Sequence, residues 1–466
     1  MTVADSLAPL VGAIFASQVP IAVRGWDGSQ SGPADATWFL TFRNRRALRR
    51  LLWAPNELGL ARGYVSGDID FEGDLHEFMS ALDESTDARS GPRVHISPAA
   101  AVELLKAALR LRAIGVPPKA PPEEGSTRRG TRHGRARDAA AIAHHYDVGN
   151  DFYRLILNQS MAYSCAYWAA PGDTLDEAQY AKCDLVARKL GLSPGMHVLD
   201  VGCGWGTFAA HVARTYGVTV VGITLSREQA DYARHRISVQ GLSEQVEIRV
   251  QDYRDVTDGP YDAIASIGMA EHVGAAQLSR YAQKLYELLV PTGRLLNHAI
   301  ARRPVSAPQS SRSSFIDRYV FPDGELEPVA TMVDALEGAG FEVRDMESLR
   351  EHYGRTLRAW LTNLEANWGK VIEAGGPGRA RVWRLYMAGC AVAFDANRIG
   401  VNQIIAVKTT ARGDSGMPPT RQSFTVPDDR VPQPHQGAPP PGTWAPHPPA
   451  LDRTNFRIGP HTEEKT

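Results

Sequence analysis

Residues 198–206 read Val198-Leu199-Asp200-Val201-Gly202-Cys203-Gly204-Trp205-Gly206, a short apolar run that leads into three alternating glycines. The pattern predicts a buried β-strand, a tight turn and a helix that begins near Thr207. Glycines at such a turn let the backbone bend sharply and approach a bound ligand closely. The stretch therefore predicts a ligand-binding loop at the carboxyl end of a strand.

The spacing of these glycines restricts the ligand. G-x-G-x-G differs from the dinucleotide pattern G-x-G-x-x-G, and the Gly-Lys-Ser/Thr of a phosphate-binding loop is missing. Asp200, just before Gly202, suits an ammonium group better than a pyrophosphate. The loop resembles the S-adenosylmethionine (SAM) loop of class I methyltransferases, and SAM is the cofactor we predict. The alternative is a tight structural turn in another doubly wound fold.

The sequence on the carboxyl side of this loop alternates short apolar runs with helical stretches. Strands are predicted at 218–223, 246–250, 263–267 and 295–300, and helices at 227–240 and 277–289. Gly241 and Gly293 follow these helices, where a left-handed residue is favoured. This order predicts an α/β fold with an open, mostly parallel sheet covered by helices.

Length and composition restrict the classes of protein to which this chain can belong. The chain has 466 residues, of which 43% are apolar and 22% charged, which excludes a wholly disordered or coiled-coil protein. With 51 Lys and Arg against 52 Asp and Glu, the near-zero net charge argues against a dedicated nucleic-acid binder. Four widely spaced cysteines favour a reducing cytoplasm, and neither C-x-x-C nor H-E-x-x-H spacing occurs, so we assign no metal.

Composition shifts divide the chain into four parts. Residues 1–115 form a first unit, 116–137 a Pro- and Arg-rich linker, 138–410 the catalytic unit, and 411–466 a disordered Pro-rich tail. In the first unit, a helix over 99–114 is predicted to have one apolar face formed by Val102, Leu105 and Leu109. The basic linker has two interpretations: a solvated spacer, or a contact with an anionic membrane surface.

Further motifs, taken in order, resemble one family. They are His145–Tyr153, Met161–Tyr167, Ser266–Gly274, Asn297–Ile300 and His352–Leu357. Together they resemble the cyclopropane-fatty-acyl-phospholipid synthases and mycolic acid cyclopropane synthases, strongly over 138–408. Residues 1–115 are more weakly similar to the N-terminal region of the long family members. The resemblance implies a class I methyltransferase fold with a seven-stranded, mostly parallel sheet and a smaller N-terminal α+β domain.

The resemblance also implies the site residues. The family binds SAM beside a hydrophobic acyl channel and holds a bicarbonate ion that acts as base. By motif match the bicarbonate site is Cys165, Glu271, His298, Tyr353 and the backbone of Ile300. The cofactor-binding set is Tyr163, Ser164, Asp200, Gly202, Gly204, Gly206, Thr224, Gln229, Asp252 and Tyr253.

Several of these residues have structural alternatives. The second strand lacks the carboxylate that generic class I methyltransferases use for the ribose, which leaves Thr224 and Gln229 as the available polar groups. Asp252 is placed to bind adenine or to cap a helix. Cys165 is equally consistent with a small buried hydrophobe, and Tyr353 with an aromatic residue that packs on the sheet.

The chemistry implied is one-carbon transfer to the double bond of an unsaturated phospholipid acyl chain. Methyl transfer leaves a carbocation, which requires a dry site and is stabilised by aromatic faces; Tyr163, Tyr167, Trp168 and Tyr353 are the candidates. For Glu271 to bind an anion, either a proton is shared between them or His298 is cationic. Deprotonation gives a cyclopropane or, by another route, a methylene branch that a partner reductase would convert to a methyl branch.

Two other functions stay open at this point: a methyltransferase for a soluble small molecule, and a non-catalytic lipid-binding protein. For the leading hypothesis we expect a cytoplasmic protein attached peripherally to the inner face of the cell membrane. The N-terminal stretch from Ser6 to Val23 contains two prolines and no preceding basic residue, which argues against a signal peptide or a spanning helix. Beyond lipid and membrane, the protein partners considered are the reductase and a second copy of the chain.

Overall fold

A computed structural model describes residues 1–15, 19–84, 97–125, 134–135, 137, 149–304 and 314–422. These residues form a four-stranded sheet near the N-terminus and a seven-stranded sheet after it. The larger sheet has strands β5 (His197–Val201), β6 (Thr219–Thr224), β7 (Val246–Val250), β8 (Tyr261–Ile267), β9 (Leu289–Arg302), β10 (Glu342–Ser348) and β11 (Ile399–Val407).

The larger sheet has the order β10-β11-β9-β8-β5-β6-β7. Neighbouring strands are parallel from β9 through β7, and only β11 runs against the rest. The predicted seven-stranded, mostly parallel α/β sheet is therefore confirmed. Because the carboxyl ends of β5, β6, β8 and β9 meet at one edge, that edge forms the crevice in which ligands bind to such sheets.

Helices cover both faces of this sheet. They are α6 (Asn150–Leu157), α7 (Leu175–Leu190), α8 (Thr207–Tyr216), α9 (Arg227–Val239), α10 (Leu278–Glu287), α11 (Phe315–Tyr319), α12 (Val329–Gly338), α13 (Arg350–Ala366), α14 (Trp368–Gly375) and α15 (Pro377–Asp395). Helix α7 shows how the sequence sets such limits. Thr174 and Glu177 form a reciprocal capping box at its start, and Gly191 ends it in the left-handed conformation.

Of the two glycines predicted to end helices in the left-handed conformation, only Gly241 does so. Gly241 adopts the left-handed conformation expected after α9, with φ of +69°. After α10, however, Thr292 takes the positive φ and Gly293 does not. Gly293 is instead needed for space, since an added Cβ would lie 2.8 Å from the Val290 carbonyl oxygen.

The N-terminal residues form a smaller α+β unit. Its strands are β1 (Ile21–Arg24), β2 (Gln30–Ser31), β3 (Trp38–Phe42) and β4 (Ile69–Glu72), in the order β2-β1-β3-β4. Its helices are α1 (Val3–Ile14), α2 (Arg45–Trp53), α3 (Glu57–Val65), α4 (Leu75–Glu84) and α5 (Pro98–Arg110). Helix α5 packs on α1 and α2.

The apolar stripe predicted for α5 forms, but it is exposed. Val102, Leu105 and Leu109 are exposed, and the buried face is formed by Leu104 with three alanines at 100, 107 and 108. Small side chains let α5 approach α1 and α2 closely, so the alanines take the interior and the larger apolar residues remain outside.

The N-terminal unit shares its core with the catalytic unit. One continuous cluster of buried apolar residues runs from Leu7 and Phe42 to Trp360 and Trp383. An arginine of α15 also reaches across the boundary. Arg381 donates to the carbonyls of Tyr64 and Ile69 at 3.0 and 3.3 Å and pairs with Asp70. The two sheets are thus held together by apolar packing and by charged hydrogen bonds.

The predicted linker and tail are each partly structured. Arg62 binds Glu124 through two hydrogen bonds, and Gly125 donates to the Arg318 carbonyl, so the end of the segment 116–125 is bonded to both units although half of its residues are exposed. Arg137 pairs with Asp323, while most of the remaining linker lies outside the described residues. At the other end, Arg421 pairs with Asp345 of β10, so residues 411–422 pack on the sheet; the tail from 423 onward is not described.

Within the described residues, no helix combines the length and the hydrophobicity that crossing a bilayer requires.

The Arg381 contacts of α15 make a testable prediction. Arg381→Met removes one donor from two backbone carbonyls and breaks one of the ion pairs of Asp70, so we expect the free energy of unfolding to fall by about 2 kcal/mol. Arg379→Met, on the same helix, is the matched control and should change little. Urea denaturation of the full chain followed by tryptophan fluorescence measures both, and equal stability of the two variants would contradict the role assigned to Arg381.

Candidate active site

A cavity opens at the carboxyl ends of β5, β6 and β8. It measures about 1180 Å³ including its mouth, and it is lined by the glycine loop, by Met161–Ser164 and by residues that follow each strand. Nine of the ten predicted cofactor-binding residues line it: Tyr163, Ser164, Asp200, Gly202, Gly204, Thr224, Gln229, Asp252 and Tyr253. The cavity is therefore large enough for a nucleoside with an attached amino acid.

The glycine loop is held by the neighbouring strand. Gly202, Gly204 and Gly206 all have positive φ, and the amides of Gly202 and Cys203 both donate to the Ile223 carbonyl. Gly206 lies outside the cavity wall. It precedes α8, and an added Cβ there would lie 3.1 Å from the Cβ of Ala233, so Gly206 allows close packing rather than ligand contact.

One end of the cavity carries an acid and a base. Asp200 is buried with Oδ2 unpartnered within the described chain, and burial raises the pKa of its carboxyl to about 7 even though Lys182 acts to lower it. Lys182, also buried, donates to Ser164 Oγ at 2.9 Å. Opposite charges at one end of a cavity suit the ammonium and carboxylate groups of an amino acid. Lys182 was not predicted from the sequence.

The far end of the cavity has hydroxyl, amide and carboxylate groups. Thr224 and Gln229 are hydrogen-bonded to each other at 2.9 Å. Asp252 caps the short helix Tyr253–Asp255 and makes two charged contacts with the Arg254 side chain, at 2.8 and 2.6 Å. Asp252 thus has the capping role that was its structural alternative, and it also faces the cavity.

The five residues assigned to the bicarbonate site converge beside β9 and β11. Glu271 Oε1 accepts from the Ile300 amide at 2.8 Å. Cys165 Sγ and the Tyr353 amide both contact the carbonyl of Leu349, whose own amide bonds Val401 of β11. Val401 pairs with Ile300, and Gln403 pairs with His298 two positions along. The strand register therefore brings together residues that lie almost 200 positions apart.

A chain of buried polar groups fixes the tautomer of His298. Lys189 donates to Gln403 Oε1 at 2.7 Å, and Gln403 Nε2 lies 3.2 Å from His298 Nδ1. Since an ammonium group has only donors, the Gln403 oxygen must face Lys189 and its NH₂ must donate to His298. Nδ1 is then the acceptor, so the neutral ring carries its proton on Nε2, which is buried and has no partner in the described chain. Glu347 pairs with Lys189 and completes the chain.

Burial decides the charge state of this pair. Burial lowers the pKa of His298 to about 3, helped by Lys182 and Lys189, so the ring is neutral at pH 7. Burial raises the pKa of Glu271 to about 7, against the bond from Ile300, so its carboxyl is half protonated there. Of the two ways for Glu271 to bind an anion, the structure favours the shared proton over a cationic His298. Glu271 Oε2 is inaccessible to solvent and unpartnered within the described residues.

Cys165 has the properties of a buried thiol. Its side chain is fully buried, and burial raises the pKa of the thiol far above its usual range. A thiolate is the reactive form of cysteine, so Cys165 is not a nucleophile here. The Ile300 amide was predicted to be part of the bicarbonate site. In the structure it donates its hydrogen bond to Glu271 Oε1 instead.

Aromatic side chains surround Tyr163. Its ring centroid lies 5.3 Å from that of Trp360 and 5.5 Å from that of Trp383, and Tyr353 lies 6.0 Å from Trp360. Two predicted aromatic residues are excluded from this cluster. Trp168 is covered by the Arg355 guanidinium at 4.0 Å, and Tyr167 stacks on His352. Trp360 and Trp383, which were not predicted from the sequence, provide the aromatic wall instead.

The remaining candidates can be placed briefly. His272 lines the cofactor cavity and its ring meets Phe321 edge to face. Residues 145–148 of the motif His145–Tyr153 lie outside the described residues, whereas Asn150 accepts a hydrogen bond from Trp205 of the glycine loop at 2.7 Å. In the part of the chain that the structure describes, no group of three or more His, Cys, Asp or Glu side chains is arranged to hold a metal.

Sequence comparison identifies relatives of this chain. Residues 133–404 match the family model described as mycolic acid cyclopropane synthetase. A probable fatty acid methyltransferase of Pseudomonas putida is 39% identical over 90% of this chain and 99% of its own length. The cyclopropane-fatty-acyl-phospholipid synthase of Escherichia coli is 37% identical over 58% of this chain and 68% of its own length.

Solved structures agree with the sequence comparison. The mycolic acid cyclopropane synthase CmaA1, complexed with SAH and CTAB, is 34% identical with a TM-score of 0.55, and the match covers 57% of this chain and 97% of that one. The cyclopropane synthase MmaA2 from Mycobacterium tuberculosis gives the same TM-score at 32% identity, over 59% of this chain and 98% of that one. From its cavity, its loop and these relatives, the chain belongs to the mycolic acid cyclopropane synthase family and is a SAM-dependent methyltransferase.

Proposed function

We propose that the protein transfers a one-carbon unit from SAM to the double bond of an unsaturated acyl chain in a phospholipid. The observation that carries this proposal is two polar atoms without solvent contact or partner in the described chain, Glu271 Oε2 and His298 Nε2. Both residues lie beside the cofactor cavity, because His298 pairs with the cavity-lining Ile267 and Glu271 directly precedes the cavity-lining His272. A hydroxyl or amine acceptor would also use an acid or an imidazole as general base, so the choice of a lipid acceptor is supported by the burial of these atoms, which suits a carbocation. The named activities of the relatives, cyclopropane synthesis and fatty acid methylation, also support a lipid substrate.

The cofactor has a complete set of partners. Asp200 would bind the ammonium group and Lys182 the carboxylate, while Thr224 and Gln229 would bind the ribose hydroxyls in place of the usual acid. Tyr253 and Asp252 would contact the adenine. When bound, SAM supplies an electrophilic methyl group, and the protein holds the alkene in line with it at near-attack distance.

The aromatic residues around Tyr163 would stabilise a carbocation. Addition of the methyl group to one olefinic carbon leaves a cation on its neighbour. The rings of Tyr163, Trp360 and Tyr353 present negative π-faces, each of which stabilises a desolvated cation by up to about 2 kcal/mol. The buried position of Trp360 and Tyr353 keeps water away from the cation, which would otherwise be captured as an alcohol.

The acid–imidazole pair completes the reaction. Glu271 Oε2 and His298 Nε2–H provide one acceptor or shared proton and one donor, which fit a small oxyanion such as bicarbonate. Bicarbonate, when bound, supplies a base for a proton of the added methyl group. Glu271 would hold the shared proton, and His298 would donate from Nε2 to the anion, in the tautomer that Gln403 imposes.

Two products arise from the same cation. Loss of a methyl proton with closure of the carbon–carbon bond gives a cyclopropane. A prior hydride shift from the methyl-bearing carbon moves the cation there, and loss of a methyl proton then gives a methylene branch. A methylene product would be reduced to a methyl branch by a separate reductase. We also propose that the protein works while attached to the face of a membrane, where its phospholipid resides.

The first prediction concerns the product. Purified protein incubated with methyl-labelled SAM and vesicles of an oleoyl phospholipid should transfer label into the fatty acyl fraction. Proton NMR then separates the products, because a cyclopropane gives upfield ring protons and a methylene branch gives vinylidene protons. Label found only in a water-soluble acceptor would refute the lipid substrate.

The second prediction concerns the acid–imidazole pair. Glu271→Gln and His298→Ala should each lower kcat by roughly 10²- to 10⁴-fold, the usual contribution of positioned acid–base groups, with SAM affinity unchanged. Glu337→Gln on the exposed side of α12 is the control. Equal loss of cofactor affinity in isothermal titration would show that these residues belong to the cofactor site instead.

The same Glu271 variant has a thermodynamic signature. Since the folded pKa of about 7 lies above the unfolded value near 4.5, the carboxyl stabilises the ligand-free protein at low pH, and this stability is lost as pH rises between the two. The stability of Glu271→Gln relative to the parent protein should therefore be higher at pH 8 than at pH 5. Thermal unfolding of both proteins at the two pH values measures this difference. An unchanged pH dependence would indicate that the carboxyl is hydrated.

The third prediction concerns Lys182. Lys182→Met should weaken the binding of S-adenosylhomocysteine by at least about tenfold, as expected for loss of a charged hydrogen bond. Binding of 5′-methylthioadenosine, which lacks the amino-acid part, should be unaffected. Lys370→Met, an exposed lysine of α14, serves as control. Equal weakening of both ligands would mean that Lys182 supports the cavity only by packing.

A further inference from the structure

The exposed apolar side chains of this protein are concentrated in one place. Of the ten large apolar residues that are exposed in the described chain, seven lie between residues 1 and 116. They are Met1, Trp53, Val102, Leu105, Leu109, Ile114 and Val116. Scattered single exposures are normal for a soluble surface, but a concentration of this kind marks a site of interaction.

Contacts between these segments show that the residues share one surface. Trp53 Nε1 donates to the Gly115 carbonyl at 2.9 Å, which places the indole beside Ile114 and Val116. Arg49 fixes the same segment through the Ala113 carbonyl. Met1 Sδ lies 3.8 Å from the Arg110 guanidinium at the end of α5. We call these seven residues the apolar face.

Helix α5 supplies the centre of this face. Val102, Leu105 and Leu109 follow at intervals of three and four, so they form one stripe along the helix. The opposite side of α5 packs on α1 and α2 through its alanines and Leu104. The helix is therefore apolar on both sides, and packing within the described chain uses only one of them.

Basic side chains surround the apolar face. Arg45, Arg110, Arg112 and Lys119 are all exposed, and none has a carboxylate partner among the residues that the structure describes. Lys106 is paired with Glu103, the one acidic residue of α5. The surface thus combines a projecting apolar centre with a surplus of free positive charge.

We propose that the apolar face is the surface by which this enzyme docks on an anionic phospholipid bilayer. Apolar side chains enter the acyl boundary, the indole of Trp53 lies at the headgroup level, and the arginines bind lipid phosphates. The inference rests on the proposed function for its choice of lipid as partner. Charge decides against a second copy, because two such faces brought together would place uncompensated arginines near one another.

Vesicle sedimentation tests the docking surface directly. The full chain is mixed with vesicles of saturated phosphatidylcholine and phosphatidylglycerol, which contain no double bond, so binding is measured without turnover. Leu105→Gln with Leu109→Gln should lower the partition coefficient by at least about tenfold, because two inserted apolar groups are lost. Val239→Gln with Met346→Gln, exposed apolar residues of the catalytic unit, is the matched control and should bind like the parent protein.

The basic side chains around the apolar face are tested by a second double variant. Arg110→Gln with Arg112→Gln should lower binding to the phosphatidylglycerol vesicles by about thirtyfold at low salt, since each basic residue near an anionic surface contributes about fivefold. Little loss is expected on phosphatidylcholine alone or at high salt. Unchanged vesicle binding by both double variants would overturn the proposal. Conversion of a dimer to a monomer by the leucine variant, seen by light scattering, would overturn it in favour of a second copy.

A bilayer-free assay separates this inference from the proposed function. Oleoyl phospholipid dispersed in non-ionic detergent micelles requires no docking, so the leucine variant should methylate it at the parental rate. If the leucine variant keeps parental activity in micelles and also keeps parental vesicle binding, the docking proposal is contradicted and the proposed function is retained. If vesicle binding depends on the apolar face but no label enters lipid in either assay, the proposed function is contradicted and the docking proposal is retained.

Discussion

The burial of Glu271 Oε2 and His298 Nε2 is the constraint on which the rest of the structure depends. A buried polar atom without a partner costs about 1–3 kcal/mol, which a bound ligand that pairs with it would offset. The same burial keeps the imidazole neutral and the carboxyl close to half protonated. A wet site would return both groups to their ordinary pKa values, with a charged carboxylate in front of an anion.

The strands of the sheet position the site residues, and the helices bury them from solvent. Parallel strands β5, β8 and β9 end at one edge, so the cofactor cavity, Glu271 and His298 all lie at this edge of the sheet. Helices α13 and α15 close this edge with Trp360 and Trp383. The N-terminal unit packs on α15 through a common core and through Arg381, so it supports the aromatic wall from behind. Its outer side carries the apolar face.

The sequence was sufficient for the loop and for the five strands β5 to β9, and nine of the ten residues it predicted for the cofactor line one cavity. Glycines with positive φ, such as Gly202, leave a pattern that can be read locally, and apolar runs identify buried parallel strands. Lys182, Lys189 and Gln403 leave no such pattern. Their role depends on contacts up to 214 positions away, such as Lys189 with Gln403, and the one available signal was two lysines on the buried side of α7. For α5, periodicity predicted the apolar stripe but could not say what it contacts, and the alanines on the other side pack on α1 and α2. Arg421 and Glu124 show the same limit for the tail and the linker, since composition does not report specific ion pairs.

The central claim is that a base in a dry site removes a proton from the transferred methyl group. Counting deuterium tests it most directly. With SAM carrying a CD₃ group and an oleoyl phospholipid, mass spectrometry of the modified fatty acid should find two deuterium atoms retained and one lost, for a cyclopropane and a methylene branch alike. Retention of all three would mean that the cation loses a proton from the acyl chain or captures water instead, and it would contradict the role of Glu271 and His298 in holding a base for the methyl group.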